Sequence, residues 1–462
     1  MIVDRKLFSD SMLPALRRAL VLALAVGAST CLGADAIGVL PDTGQTTCFA
    51  PDYSAVPCEE ATTGDASALP RQDARFGRDA LAALGQLPKV GGGEYGFDYT
   101  RICANGDAEG TGSCPNGPPL PADVEHPAPN DWACLRDNVT GLVWSLGNAI
   151  GTTWAEASST APGSFIHRAN TSARCGLSAG WRLPVRREGY SLMSAGRQLP
   201  SVEPAYFPIL STTLTGKSFW TTDVDMTWYP EAWNHVVFFD WAGTGSYNCR
   251  DVIPGHPKCA LPPPGSNGRW ESSVLLVNGV WRSASPSISE PRWQVRADGL
   301  AVSDSATGLM WDRCTWGQTG TTCDGEGQLF RHWNDAMQVS GLANQMRHRG
   351  YYDWRVPNAR ELESLVETDT ARPAIDVNVF PNTAQELYWT STQKPVLPTV
   401  SNQAWCVGFR EGIVGNCMKA VDANLTPNRS PVRLVRGGNP YGMVDAIAER
   451  LFLADFDDEA HP

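Results

Sequence analysis

The spacing of apolar and polar positions changes along the chain, and it changes in the same order twice. Trp132 to Trp144 alternates apolar and polar residues around a Thr140-Gly141 turn, which predicts a strand and hairpin. A helix is expected next from Thr153, which stands three residues before Glu156 in the spacing of a capping box. His332 to Leu342 holds the matching place later, with Trp333 and Met337 on one helical face. A second helix is expected after each Trp-Arg-x-Pro string, because proline near a helix start loses no needed N–H and Leu362, Leu365 and Val366 recur at helical spacing. Tyr388 to Thr392 and Ala404 to Phe409 are short, aromatic and β-branched, so they read as strands. Two helices followed by short antiparallel strands make an α+β domain.

That order is carried by repeated strings. Asp137-Asn-Val-Thr-Gly-Leu-Val-Trp144 returns as Asp304-Ser-Ala-Thr-Gly-Leu-Met-Trp311. Trp154, Gly180-Trp-Arg-Leu-Pro184, Arg187-Glu188, Tyr206-Phe-Pro208 and Phe219-Trp-Thr-Thr222 are answered by Trp333, Asp353-Trp-Arg-Val-Pro357, Arg360-Glu361, Val379-Phe-Pro381 and Tyr388-Trp-Thr-Ser391. An offset of 173 residues holds from the Trp-Arg-x-Pro block to the Phe-Pro block. The expected ends are Val295-Arg296 and Val435-Arg436-Gly437-Gly438. These landmarks predict a tandem duplication, with one copy over 131–298 and a second over 299–438. Residues 37–130 form a Gly/Pro-rich lead expected to wrap rather than fold alone, with one helix-like stretch at Asp79 to Leu84, and 439–462 form an acidic tail.

Residues 1–36 read as a secretory signal: Arg17 and Arg18, an apolar run from Ala19 to Ala28, and an Ala34-Asp35-Ala36 cleavage site. The run is shorter than the roughly 20 residues a bilayer requires, so an integral membrane protein is not expected. Export leaves twelve cysteines, an even number that suits an oxidising compartment. Their spacing predicts the pairs Cys48/Cys58, Cys103/Cys114, Cys134/Cys175, Cys249/Cys259, Cys314/Cys323 and Cys406/Cys417. C-x-x-C and close His spacing are absent, so no metal site is expected from the cysteines. A net charge of −12 argues against general nucleic-acid binding. Two arginine clusters, Arg182, Arg186, Arg187 and Arg197, and Arg347, Arg349, Arg355 and Arg360, read either as anion-gripping forks or as salt bridges within each copy.

The landmark set resembles the Lcl C-terminal domain family, named for the Legionella collagen-like adhesin. The second copy fits nearly throughout, whereas the first departs at Val295-Arg296-Ala297-Asp298 and carries a Pro/Gly insertion around Arg250 to Asn267. The resemblance implies C-type-lectin-like domains, an exported extracellular or cell-surface protein, and binding rather than catalysis, with polysaccharide as partner. A host or envelope protein is the rival partner, with the chain as a scaffold or tip component of an envelope appendage. Oligomeric state is left open. Lectins of that fold often hold calcium, but Trp333-Asn334-Asp335 opens a helix and Glu203-Pro204-Ala205 is incomplete, so no cofactor is assigned.

Landmark tryptophans are expected in the core. Trp228, Tyr229, Trp233, Trp241, Tyr247 and Trp270, outside the landmarks, are the candidates for stacking on sugar rings, with Arg250 and Arg410 for acidic groups. Gly176-Leu-Ser-Ala-Gly180 spells the nucleophile-elbow string, but the second copy has Tyr351 at the matching place, so no hydrolase is expected. A formylglycine-generating-like enzyme would need a reactive pair such as Cys406 and Cys417, which disulfides explain equally well. No catalytic residue is assigned.

Overall fold

A computed structural model describes most of residues 40–57, 72–75 and 96–437, apart chiefly from 198–200, 209–217, 225–232, 239–243, 250–271, 282–290, 395–401 and 420–428. Residues 1–36, expected as a signal, Asp79 to Leu84, the expected tail 439–462, Cys58 and Cys259 lie outside the described residues. No helix among the described residues is long and apolar enough to cross a membrane.

The chain is mixed α/β with small sheets. After the two-stranded pair β1 (Cys48–Phe49) and β2 (Ala55–Val56), β3 (Tyr99–Cys103), β4 (Trp132–Asp137) and β5 (Val143–Ser145) are joined by β11 (Val277–Asn278) in the order β11-β5-β4-β3. A second sheet runs β6-β10-β7-β8-β9, from β6 (Ala149–Thr152), β7 (Ser218–Val224), β8 (Trp233–Phe238), β9 (Thr244–Cys249) and β10 (Ser272–Val274). Its β7 and β10 pair in parallel, a departure from the antiparallel expectation. In the second half, β12 (Trp293–Val295), β13 (Ala301–Asp304), β14 (Leu309–Asp312) and β18 (Val435–Gly437) form one sheet, and β15 (Leu387–Lys394), β16 (Gln403–Gly408) and β17 (Ile413–Met418) another. The helices are α1 (Trp154–Ser158), α2 (Phe165–Thr171), α3 (Arg186–Tyr190), α4 (Trp333–Gln345) and α5 (Ala359–Glu363).

Each local signal has a physical counterpart. Thr153 and Glu156 close the expected capping box on α1. Gly141 takes φ 79° in the turn between β4 and β5, where Asp137 accepts the N–H of Val139. Asp304 accepts from Ala306 in the corresponding turn. Trp181 and Trp354 are each clamped by an asparagine, Asn170 and Asn344, which both donates to and accepts from the tryptophan backbone. Seven of the eight landmark tryptophans are buried, with Trp154 half-buried.

One landmark is reassigned. Val277 pairs with Trp144 as Val435 pairs with Trp311, so Val277-Asn278 is the first-half strand that answers Val435-Arg436. Val295 instead pairs with Val302, in the sheet of the second half. The wrong choice arose because the Val-Arg pair is preserved at Val295 and lost at Val277.

The halves meet through α3 and α5, and one hydrophobic cluster spans both, from Tyr99 and Leu135 to Trp405 and Val414. Arg187 donates to the carbonyls of Glu363 and Val366, and Arg360 donates to those of Tyr190 and Met193. Every residue of the first set lies 173 positions from its counterpart, so the contact is reciprocal in the manner of an isologous interface. Arg186 breaks the symmetry: fully buried, it pairs with Glu363 at 3.1 Å, and Ala359 stands at its counterpart position. Burial pulls the Arg186 guanidinium down from its ordinary pKa, and Glu363 opposes that shift.

The lead segment straps the second half. Arg360 Nε donates to the Asp42 carbonyl, and the hydroxyls of Thr43 and Thr392 both donate to Asp73 Oδ2 at 2.6 and 2.7 Å. Burial, then the nearby Asp42, pushes the Asp73 carboxyl up to about 7. Lys419 lies over the rings of Phe49 and Trp333, and burial lowers its ammonium to about 6.

Candidate functional site

The proposed sugar-stacking aromatics fall largely outside what the structure describes. Trp228, Tyr229, Trp241, Trp270 and Arg250 lie outside the described residues, while Trp233 opens β8 and Tyr247 sits in β9, with only their backbones described. Arg410 is exposed and paired with Glu411 at 3.1 Å. Four of the expected disulfides are formed: Cys103–Cys114, Cys134–Cys175, Cys314–Cys323 and Cys406–Cys417. Cys48 is also disulfide-bonded, and Cys249 ends β9. Cys406 and Cys417 are fully buried in their disulfide, so no thiol is presented there.

Most clustered arginines are structural. Arg182 and Arg355 make two-point pairs with Glu188 and Glu361, and the same guanidiniums reach the carbonyls of Gly279 and Gly437. Arg186, Arg187 and Arg360 bridge the halves rather than pairing within one, which corrects the salt-bridge expectation. The geometry leaves Arg347 exposed at the end of α4, with a backbone φ of 50°. Ser178 lies in irregular chain between a 3-10 turn and Trp181, not on a strand-to-helix elbow. Trp333-Asn334-Asp335 is the first turn of α4, and among the described residues no cluster of three or more His, Cys, Asp or Glu side chains is placed to hold a metal ion.

What the structure does assemble is an arginine and aromatic face on the second half. It is built where β12, β18 and the loop after α4 converge. Tyr351 has the Arg296 guanidinium 4.9 Å and the Arg436 guanidinium 3.9 Å from its ring centre. Arg436 is held by Asp353 at 2.5 Å, and Arg296 by Asp298 at 2.9 Å. Beside them His348 packs between Trp316 and Trp354, with its Nε2 2.5 Å from Asp312, whose other oxygen takes Arg349 at 3.4 Å. Leu342, Met346 and Tyr352 are exposed on the same stretch. Paired guanidiniums fixed on an aromatic ring can meet sulfate or carboxylate in two-point fashion while the ring offers an apolar plate.

Residues 300–436 match the Lcl C-terminal domain. Neither a curated protein nor a solved structure matches the chain. The matched Lcl segment ends on Arg436 and contains Tyr351 and Arg347, so most of the face lies inside it. The Lcl match suggests a surface protein of adhesin type. Sequence reasoning passed over Arg296, Tyr351 and Arg436 because Val295-Arg296 and Val435-Arg436 were matched as repeat ends and the ligand residues were sought among the unmatched aromatics of the first half. Once Asn278 is paired with Arg436, the disagreements locate the face: Ile102, Leu177 and Asn278 stand where Arg296, Tyr351 and Arg436 stand, and Leu177 rather than Ser178 matches Tyr351 because each caps the corresponding 3-10 turn.

Proposed function

We propose that this chain is an exported bacterial surface or secreted protein, built of two tandem lectin-like copies, that adheres to an anionic or sulfated polysaccharide. The observation that supports the reading is the Tyr351 ring held between two guanidiniums, with Arg347 and Tyr352 exposed beside it. Saccharide rings stack on the aromatic plate, and acidic substituents meet the arginines. The test is retention of the mature chain on immobilised heparin across a salt gradient, set against a neutral polysaccharide. Salt-dependent retention, reduced in Arg436→Ala with the fold unchanged by circular dichroism, is the expected outcome. Equal retention on the neutral matrix sinks the reading.

A second reading rests on Leu342, Met346 and Tyr352, whose side chains leave roughly half or more of their surface to solvent. An exposed apolar set beside arginines also suits contact with a protein partner. Such binding would survive high salt, whereas adhesion to a charged polysaccharide would not.

A further inference from the structure

A cavity of about 220 Å³ opens in the first half, against α2 and the end of β10. Its lining combines the apolar side chains of Val274, Leu276 and Phe165 with the charged groups of Arg168, Arg174 and Glu125. Arg174 is fixed by its bonds to Ser145 Oγ at 3.0 Å and to the Glu125 carbonyl at 3.1 Å. Arg168 lies 4.8 Å from the Phe165 ring centre and is tied to the Glu125 carboxylate at 3.2 Å.

The second half shows what belongs in such a place. The Ser145 backbone N–H donates to the Leu276 carbonyl, and the Asp312 N–H makes the equivalent bond to the Leu434 carbonyl. Arg174 begins the 3-10 turn that His348 begins in the second half, and each side chain bonds the residue at the Ser145 or Asp312 position. There the space beside His348 is taken by the chain's own Trp316, whose ring centre is 5.2 Å from the histidine and whose N–H bonds the Val432 carbonyl. The Trp316 indole N–H is satisfied by Gln328 at 3.1 Å. The first half has no tryptophan at that point: Ser145 is followed by Leu-Gly-Asn-Ala.

We infer that the first-half cavity is a binding site for one planar aromatic group, an indole or phenol ring, packed against the Arg174 guanidinium at the place where Trp316 packs at a tilt against His348. Its volume lies below the roughly 300 Å³ at which drug-sized sites begin, so it fits a single ring system and not a whole cofactor. The apolar side chains take the ring face, a guanidinium packs against it, and Glu125 can accept a ring N–H or O–H. The ring comes either from a free aromatic molecule or from a tryptophan or tyrosine of another polypeptide.

Indole and N-acetyl-tryptophanamide, titrated into the full mature chain by calorimetry and by saturation-transfer NMR, test this. One saturable site is expected, with cyclohexanol as a non-planar control binding at least fivefold more weakly. Arg174→Ala should weaken indole at least fivefold, and Ser172→Trp, at the exposed lip, should abolish binding with the fold intact. Trp316→Ala should raise the stoichiometry from one to two by opening the second-half counterpart. Tighter binding of the amide than of indole assigns the ring to a polypeptide, and the reverse assigns it to a free molecule. Absence of binding, equal binding of the non-planar control, or full binding by folded Ser172→Trp overturns the inference, even if Arg174→Ala does not fold.

Discussion

The two halves use one frame and cover it differently. Where the first half buries Ile102 and staples Cys134 to Cys175, the second has Arg296 half-exposed and sets Ala301 and Arg349 at the cysteine positions. Ala173 and Cys175 take φ of 49° and 54°, and Arg347 and Arg349 take 50° and 53°, so the backbone dihedrals there agree although one half closes the turn with sulfur and the other with an Asp312–Arg349 pair. The lesson is that the buried frame specifies conformation, while the residues over it are free to specify a partner. Trp144 and Trp311 make the point from inside, since both indole N–H groups are buried without a hydrogen-bond partner. Shared frame positions share even their imperfections.

The largest effect should come from the place where the halves differ and touch. Glu363→Ala leaves the buried Arg186 without its carboxylate and should cost about 3–5 kcal/mol by urea unfolding. A loss below about 1 kcal/mol would mean that this pair is not buried as described. Next, removing the Cys134–Cys175 staple, which closes 41 residues, should cost about 2–4 kcal/mol. The comparison sharpens if the staple can be transplanted: Ala301→Cys with Arg349→Cys should oxidise to a disulfide, visible as resistance to alkylation before reduction. Persistent free thiols would show that the backbones are less alike than their dihedral angles indicate.

A pH effect from the strap is expected at the second half and not at the matching place in the first, because Asp73 bonds the Thr392 hydroxyl and the first-half counterpart of Thr392 is Asp223, which has no hydroxyl. The fold holds the Asp73 carboxyl at about 7 against an ordinary 3.8, so the protonated form is favoured. That contribution is fully present below the unfolded value and is lost as pH rises through about 7. Asp73→Asn keeps an acceptor for both hydroxyls and should flatten the decline, with unfolding midpoints measured at each end of the window. An unchanged slope would assign the pH dependence elsewhere. The smallest effect on stability belongs to Arg347→Ala, within about 0.5 kcal/mol, since an exposed side chain is changed. Its measurable consequence should be earlier elution from heparin.

Much of the frame could be read from the chain because its signals are local. A capping box, a Thr-Gly turn and a Trp-Arg-x-Pro string each act within a few residues, so Thr153, Gly141 and Arg355 behave as their neighbours dictate. The interface between halves was not legible: nothing near Arg360 shows that its partners are carbonyls 170 and 167 residues away. The face around Tyr351 was hidden for a related reason, since Arg296, Tyr351 and Arg436 come from three separate elements joined by sheet pairing. The pairing of Val277 with Trp144, which corrects the repeat alignment, is likewise a long-range fact.

The unsymmetrical pairing of Glu363 with Arg186 and Arg187 has a consequence for assembly. Two first halves brought together would set Arg186 against Tyr190, and two second halves would set Ala359 against Glu363. Only unlike halves bring the buried Arg186 to a carboxylate, so that Glu363 takes two guanidiniums, Arg186 and Arg187, instead of one. The buried Arg186–Glu363 pair therefore acts as a key: during synthesis, when many chains fold at once, it rewards a half for finding its own other half over like-with-like association between neighbours. A shared chain then needs no dilution to stay closed, because its complementary surface is always within reach.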